Sequence, residues 1–431
     1  MEETLKFLSF SEPNVRFVVF GSIILGATAA IVGCFAFLRK RALVGDAISH
    51  SILPGVALAF IISGTKNPLY LIFGALISGW ISLILIDAIS RTTKLKSDAA
   101  IGIILSVFFG FGILLLTYIQ QSGNAAQSGL DSFLFGKAAS LMPEDIVIFS
   151  SIGLALIVLV LLFFKEFKLL SFNIDYAKTI GLPVKFLEFL LSTITVLSVA
   201  VGIQAVGVVL MAALLITPAA GARYWTNRLS PMIWIATFFG AISAFVASYI
   251  SYIAPSMPTG PWVVVVLSVL TVASILFAPK KGILARYTLR RENQRKILIE
   301  NILKLFYHLG EHDEKFMKSR SKKELLAGRD FLPKELDKGL NSLQSKSLVL
   351  QKDNRFIITE KGLNEAKRVI RLHRLWEMYL NQRLKLEADH VHNDAEAIEH
   401  IITEDIERQL EKELAYPEKD PHQSKIPKYE K

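Results

Sequence analysis

The stretch LVGDAISHSILPG, residues 43–55, places an aspartate and a histidine inside an otherwise apolar run. Asp46 and His50 are four residues apart, so an α-helix would place them one turn apart on the same face. Ionisable groups are expensive in hydrocarbon and often mark ion pathways there. A carboxylate and a neutral imidazole also suit Mn²⁺, Fe²⁺ or Zn²⁺ as ligands. The spacing alone leaves two interpretations open: a metal path, or a structural Asp–His hydrogen bond near the cytoplasmic interface.

The chain divides into an apolar part that is poor in charge and a part that is rich in charge. Of its 431 residues, residues 1–278 contain 16 Lys and Arg and 12 Asp and Glu, whereas residues 279–431 contain 32 and 26. The mean hydropathy of the whole chain, +0.43, is high for a soluble protein. These numbers indicate a membrane protein with a charged C-terminal region.

Apolar runs long enough to cross a bilayer recur throughout the first part. They predict nine spans, at 17–38, 43–63, 68–90, 98–120, 144–164, 186–203, 205–222, 231–253 and 261–278. The sixth and seventh runs are separated only around residues 202–204, so a fold with eight spans also fits.

Basic residues alternate between the predicted connections. Every second connection carries Lys or Arg, from residues 39–41 after the first span to residues 280 and 281 after the ninth. Because cytoplasmic loops are the basic ones, this alternation predicts an external N-terminus and a cytoplasmic region from residue 279 onward.

The N-terminal residues lack the basic start and the small-residue cleavage site of a signal peptide. A single cysteine, Cys34, excludes an intrachain disulfide and a Cys-based zinc site.

One of the predicted cytoplasmic connections, residues 169–186, is longer than a turn. It contains a short predicted helix from Asp175 to Ile180, which Gly181 and Pro183 end. The pattern alone is equally consistent with a surface loop. No GxxxxGKS/T sequence for cradling nucleotide phosphates occurs in the chain, so we expect no ATP site and no enzyme activity of its own.

Three runs in the first part resemble the permease subunits of manganese/zinc/iron ABC importers. They are ALVGDAISHSILPGVALAF (42–60), IDYAKTIGLPV (174–184) and VGVVLMAALLITPAAGAR (206–223), in the order found in that family. The resemblance covers residues 10–280. It implies a helical subunit of the vitamin-B12-permease type in the bacterial inner membrane, where it forms a homodimer. The implied partners are two cytoplasmic ATP-binding subunits and an extracytoplasmic metal-binding protein.

The same resemblance implies roles for individual residues. Divalent metal would pass Asp46 and His50. The ATPase would dock on a coupling helix whose family positions match Asp175, Ala177, Gly181 and Leu182.

The charged C-terminal region has the pattern of a small helical domain with a β-ribbon. RRENQRKILIENILKLFYHLGEHDE (290–314) has apolar residues at helical spacing, and two further helices are predicted near 321–327 and within 332–347. A ribbon, LVLQKDNRFIITEKG (348–362), follows with its turn at 352–354, and helices at about 361–385 and 391–414 end the region. The order helix–helix–helix–ribbon predicts a winged helix-turn-helix.

The fold class is therefore mainly α, with a polytopic membrane domain and a cytoplasmic winged-helix and dimerisation domain. The predicted divisions are a permease domain (1–280), a basic linker helix (281–294), a winged-helix domain (295–360) and a helical metal-binding and dimerisation region with its tail (361–431).

Histidines and glutamates cluster on the last two predicted helices. His373 and Glu377 share a face of one helix; Glu396, Glu399 and His400 share a face of the other, with His392 just upstream. Together they could build one or two divalent-metal sites. A solvated helix face with ordinary Glu/Lys pairs would show the same spacing.

RLHRLWEMYL (371–380), HVHNDAEAIEHIIT (390–403) and PHQSKIP (421–427) resemble the iron/manganese-dependent repressors of the diphtheria-toxin-repressor class, over residues 295–427. The resemblance implies one metal site from His373, Glu377 and His392, and another from Glu396, Glu399 and His400, with Glu396 of the manganese type. Two positions depart from that family. Asn301 stands where a Met or Asp ligand is expected, and Lys304 stands where manganese-type members have Glu. Because a protonated lysine cannot ligate a metal, this departure weakens the expected second site.

DNA binding is less well supported by the sequence. The predicted recognition helix, LPKELDKGLNSLQ (332–344), offers Lys334 and Lys338 as DNA-contact candidates, but also Glu335 and Asp337, which would be repelled by phosphates.

Besides the transport subunit, two hypotheses remain open. One is a membrane-tethered or released metal-dependent transcription regulator. The other is a domain that senses cytosolic metal and inhibits import.

Overall fold

The computed structural model describes residues 2–39, 42–121, 143–254, 257–384 and 404–429. The chain forms two compact units, Met1–Arg286 and Tyr287–Lys431, which we call the membrane unit and the C-terminal unit. The division falls within the predicted linker helix 281–294, whose own bounds stay a prediction. The mainly helical fold, with a polytopic part and a winged-helix part, is confirmed.

The described residues of the membrane unit form a bundle of helices. In chain order they are α1 (Glu2–Ser9), α2 (Pro13–Leu38), α3 (Ala42–Ser63), α4 (Pro68–Thr92), α5 (Ser97–Gln121), α6 (Pro143–Leu162), α7 (Phe164–Phe172), α8 (Ile174–Thr179), α9 (Val184–Val206), α10 (Val208–Trp225), α11 (Leu229–Ile253) and α12 (Thr259–Phe277). Within these residues, eight helices are long and apolar enough to cross a membrane, namely α2 to α6, α9, α11 and α12. The remaining predicted run corresponds to α10, a separate helix of 18 residues.

The break between α9 and α10 lies at Gly207, so its predicted position around residues 202–204 is wrong. Gly207 has φ 90°, a conformation that glycine adopts without the steric cost of a Cβ, and its N–H donates to the Ile203 carbonyl at 2.8 Å. Gly202 lies inside α9, where a Cβ would overlap the side chain of Met211 from α10. That glycine therefore serves close helix packing and does not end the helix.

Close contact between the membrane helices depends on glycines. A Cβ on Gly33 of α2 would overlap the Leu215 carbonyl oxygen of α10. Gly55 of α3 and Gly74 of α4 face each other, and a Cβ on either would overlap the carbonyl oxygen of the other. Since lipid tails are as apolar as the helices, association in a membrane relies on such close packing at small residues.

The described part of the C-terminal unit contains a three-stranded sheet and five helices. Its elements are α13 (Ile283–His312), which begins just before the division, β1 (Arg320–Ser321), α14 (Lys322–Gly328), α15 (Pro333–Ser345), β2 (Val349–Lys352), β3 (Arg355–Ile358), α16 (Glu360–Leu384) and α17 (Glu404–Glu413). β3 pairs antiparallel with both β2 and β1, so the strand order is β1-β3-β2. The predicted ribbon is β2–β3, and β1 is an additional strand.

The winged helix closes around one apolar core. Ile302 and Phe306 of α13, Leu336 and Leu340 of α15, and Ile358 of β3 are all buried in it. The ribbon turns at positions 353 and 354, where both residues have positive φ, as an Asp-Asn turn permits. This core positions α13 against α16, the two helices that carry the candidate site of this unit.

We expect Gly33→Ala to destabilise the membrane unit, because the added methyl group would overlap the Leu215 carbonyl and push α2 away from α10. Overpacking of this kind costs about 1–3 kcal/mol. Gly102→Ala in α5 is the matched control, since a Cβ there meets nothing within 4 Å. Thermal unfolding of the purified variants in detergent measures the difference. Equal midpoints for the two variants would contradict the close approach of α2 and α10.

Candidate functional site

The pair Asp46 and His50 lies in the first half of α3, as the sequence spacing predicts. The His50 Nε2 atom lies 3.6 Å from the Asp46 Oδ1 atom, which is longer than a good hydrogen bond. The His50 side chain is 16% exposed, whereas the Asp46 side chain is 41% exposed in the single chain. In a single chain, the Asp46 carboxylate is therefore accessible at the surface of the helix bundle. The His50 imidazole is more deeply buried.

The environment of the His50 ring is apolar on one side. The ring makes an edge contact with Phe109 of α5, with centroids 4.8 Å apart and planes at 87°. Its Nδ1 atom is buried and has no hydrogen-bond partner among the described residues. A buried nitrogen without a partner is costly, so a water or a cation would stabilise it. Phe109 could not be found from the sequence, because no pattern links it to a residue 59 positions earlier.

Pro54 interrupts the backbone hydrogen bonds of α3 beside this pair. A proline has no N–H, so it cannot donate to the carbonyl of His50, four residues earlier. The next carbonyl, that of Ser51, accepts a hydrogen bond from the Ser78 hydroxyl of α4 at 2.5 Å. A largely apolar cavity of about 790 Å³ begins at Pro54 and is lined by α3, α4 and α5. The helix is thus loosened where its backbone meets a cavity, as proteins permit at membrane depth.

The predicted coupling helix is present as α8, from Ile174 to Thr179. Ala177 is fully buried in the core of the membrane unit. Gly181 has φ +82°, and the Leu182 N–H donates to the Ala177 carbonyl at 3.1 Å, which closes the end of the helix. Three of the four predicted coupling residues therefore hold the helix in place.

The fourth residue predicted to take part in coupling, Asp175, belongs to the exposed face of α8. Its side chain is 93% exposed, and its carboxylate lies 3.2 Å from the Lys178 ammonium. Tyr176 and Ile180 are also exposed, at 55% and 51%. These two apolar side chains make the exposed face of α8 a candidate binding surface. Tyr176 and Ile180 could not be singled out from the sequence, because periodicity over a helix of six residues does not reveal which side chains are exposed.

In the C-terminal unit, His373 and Glu377 form a buried pair on α16. The His373 Nε2 atom lies 3.0 Å from the Glu377 Oε1 atom, and the two side chains are 5% and 3% exposed. On the opposite side of the ring, the Lys304 Nζ atom of α13 lies 3.1 Å from the His373 Nδ1 atom. Lys304 is itself only 3% exposed. The ring thus has an ammonium on one nitrogen and a carboxylate on the other.

The other predicted metal ligands are His392, Glu396, Glu399 and His400, and they lie outside the described residues. Within the described part of the chain, no group of three His, Cys, Asp or Glu side chains could hold a metal ion. Asn301, one turn before Lys304, has a buried Oδ1 atom without a hydrogen-bond partner there, so it could serve as an oxygen ligand. The residues at His373 do not fit a divalent ion as they stand, because a lysine ammonium has donors only.

Further charges surround this cluster. Arg374 pairs with Glu311 at 2.8 Å and with Asp420 at 3.4 Å, and its side chain is 5% exposed. Partial burial, followed by the positive charges of Lys304 and Arg374, lowers the pKa of His308 to about 4. His308 is therefore neutral at neutral pH and adds no positive charge to the cluster.

The predicted recognition helix, α15, exposes Lys334 and Lys338 but also Glu335. Asp337 is paired with Lys322 of α14 at 2.6 Å, which neutralises one of its two acidic groups. Two exposed lysines against one exposed carboxylate leave this face with only a small positive charge, and DNA contact by the two lysines stays a prediction.

Comparisons with known proteins agree with both halves of this description. Residues 11–278 match the ABC 3 transport family, and residues 359–428 match the iron dependent repressor, metal binding and dimerisation domain. The chain is 40% identical over 380 residues to the manganese transport system membrane protein MntC of Bacillus subtilis, covering 88% of this chain and 87% of that protein. It is 42% identical over 291 residues to the zinc transport system membrane protein TroC of Treponema pallidum, covering 68% and 97%.

A solved structure shows the same fold for the membrane unit. PsaBC from Streptococcus pneumoniae, in complex with Fab, aligns with a TM-score of 0.60 and 33% identity, covering 67% of this chain and 99% of that chain. The chain therefore belongs to the ABC 3 transport family, as a multi-pass transport permease that carries a C-terminal domain of the iron-dependent-repressor type.

Proposed function

We propose that this chain is the membrane-spanning subunit of an ATP-driven importer of divalent metal ions, in the bacterial inner membrane. Membership of residues 11–278 in the ABC 3 transport family is the observation that carries the proposal. The two relatives compared above are named for manganese and zinc transport. Carboxylate and imidazole ligands suit manganese, iron and zinc alike, so the proposal covers all three as substrates.

In this proposal the metal passes Asp46 and His50 at the interface of a homodimer. The exposed Asp46 carboxylate of one chain would face that of a second chain, because a two-fold axis brings identical surfaces together. An ion between them would meet carboxylate oxygens first. The buried His50 ring, with a nitrogen that lacks a partner in the described chain, lies next to them.

The energy for transport would come from a separate cytoplasmic ATP-binding subunit, since this chain has no phosphate-cradling sequence. That subunit would dock on α8 through Tyr176 and Ile180, the exposed apolar side chains of the coupling loop. A metal-binding protein outside the membrane would deliver the ion. The basic connections support this orientation, with the C-terminal unit in the cytoplasm.

We propose further that the C-terminal unit senses cytosolic metal and restrains import. Its match to a metal-binding and dimerisation domain supports a response to metal. The alignment with the zinc transport relative spans 291 residues and covers 97% of that protein. That relative is therefore about the size of the membrane unit alone. The size of this relative supports our proposal that the second unit adds control and is not part of the path. The alternative, a tethered or released transcription regulator, is favoured by the winged-helix order of elements.

Asp46→Asn and His50→Ala should each abolish metal uptake while the protein still inserts and binds its ATPase. The loss should be at least about tenfold, because mutating even the partner of a metal ligand costs about that much. Uptake of radioactive Mn²⁺ and Zn²⁺ by cells that express each variant measures it. Asp98→Asn, which removes an exposed carboxylate from the start of α5, is the control and should transport normally. Uptake at the wild-type rate in either Asp46→Asn or His50→Ala would refute the path.

Ile180→Asp should weaken association with the ATP-binding subunit, because it places a charge in an apolar contact. Ile283→Asp is the matched control: Ile283 is 55% exposed, against 51% for Ile180, and lies outside the coupling loop. Copurification of the ATP-binding subunit with each variant, together with ATPase activity, measures the effect. Equal copurification of both variants would show that α8 is not the docking surface.

A chain that ends after residue 282 should still import metal but should lose inhibition by high cytosolic Mn²⁺. Comparing Mn²⁺ uptake by the full and shortened chains, in cells grown at low and high Mn²⁺, measures this. An unchanged response to metal loading would contradict the restraining role. A Mn²⁺-dependent mobility shift of promoter DNA by residues 285–431 would then favour the regulator.

A further inference from the structure

Three buried side chains link α13 and α16 in the C-terminal unit: Lys304, His373 and Glu377. The lysine and the glutamate lie on opposite ring nitrogens of the histidine, at 3.1 Å and 3.0 Å. All three residues are less than 5% exposed. Burying charged groups this deeply is costly unless each charge has a partner, so the arrangement needs an explanation.

We propose that the Lys304 ammonium is a built-in cation in the place where a divalent metal would bind His373, so that this pocket neither needs nor binds a metal. The inference depends on the contacts of these three residues and not on the transport role proposed above. The match of residues 359–428 to a metal-binding domain leads one to expect a metal ion at His373. Our proposal disagrees with that expectation.

The hydrogen bonds of the ring support this inference. A lysine ammonium only donates, so the His373 Nδ1 atom must be the acceptor and carries no proton. The proton of the neutral ring then sits on Nε2, where it is donated to Glu377. A metal would need one of these two nitrogens as a lone-pair donor. Both are engaged in the described structure, and neither is available without displacing Lys304 or a proton.

The charges lead to the same conclusion. Among the described residues, the Lys304 ammonium and the Glu377 carboxylate balance each other across the buried His373 ring. A divalent ion bound beside His373 would lie next to the Lys304 charge, where low dielectric makes repulsion strong. Nearby Arg374 is already paired with Glu311 and Asp420, so it supplies no carboxylate partner for a metal ion. As far as the described residues show, these two charges neutralise each other without a metal ion.

The proposal assigns any metal sensing by this unit to other groups. Asn301, one turn from Lys304, keeps a buried oxygen without a hydrogen-bond partner in the described chain. The second predicted set, Glu396, Glu399 and His400, lies outside the described residues. The test must therefore count metal ions at His373 separately from any bound elsewhere.

The decisive comparison is between the wild-type chain and His373→Gln, both purified at full length in detergent. Glutamine keeps an acceptor for Lys304 and a donor for Glu377 but removes the imidazole. Titration with Mn²⁺ alone, in which the electron paramagnetic resonance signal of free Mn²⁺ gives the number of ions bound, measures occupancy. We expect equal numbers of Mn²⁺ per chain. Loss of one Mn²⁺ in His373→Gln would overturn the proposal.

Lys304→Glu provides the converse test, because it replaces the cation by a carboxylate and frees the Nδ1 lone pair. We expect it to bind one more Mn²⁺ per chain than the wild type, and Lys304→Glu/His373→Gln to return to the wild-type number. Lys304→Met, which removes the charge but adds no ligand, should not gain an ion. If Lys304→Glu folds and gains no Mn²⁺, the lysine does not occupy a metal position. If that variant does not fold, the comparison of His373→Gln with the wild type decides.

Discussion

A buried ionisable side chain needs a partner, and this requirement shapes the functional regions of both units. In the membrane unit, Asp46 and His50 are only 3.6 Å apart, yet the pair is incomplete: the carboxylate remains partly exposed and one imidazole nitrogen has no partner among the described residues. In the C-terminal unit, His373 has an ammonium on one side and a carboxylate on the other. A carboxylate and an imidazole four residues apart on a helix thus form an open arrangement in one unit and a closed one in the other.

The packing of the membrane unit keeps the open arrangement in place. Glycines bring α2 close to α10 and α3 close to α4, so the helix that carries Asp46 and His50 is held at short range without bulky side chains. Pro54 then loosens that helix next to a cavity. Close packing thus holds α3 against its neighbours, while Pro54 interrupts its backbone hydrogen bonds. The helix can therefore expose Asp46 and His50 without disturbing the rest of the bundle.

Much of this fold could be predicted from the sequence, because long apolar runs and the i, i+4 spacing are local features. The helices, the β2–β3 ribbon and the shared faces of Asp46 with His50 and His373 with Glu377 follow from periodicity alone. Other features depend on contacts between distant residues. Gly202 packs against Met211, so it resembles a helix break in sequence but lies inside α9. β1 has only two residues and is defined by its pairing with β3, which no local pattern reveals.

The candidate sites show the same limit. Sequence comparison raised the question of Lys304, since a lysine stood where a ligand was expected, but only the fold places its ammonium on a ring 69 residues away. The exposed faces of Tyr176 and Ile180 likewise depend on how α8 lies against the core.

The Lys304 ammonium differs from a bound ion in one further respect: it is covalently attached to the polypeptide. Its local concentration is set by the chain and not by the surrounding solution, in the way that tethering turns a binding event into an intramolecular one. A chelator cannot remove it, and starvation or excess of trace elements cannot change its occupancy. The contact between α13 and α16 at this position therefore forms as the chain folds and does not depend on the supply of metal.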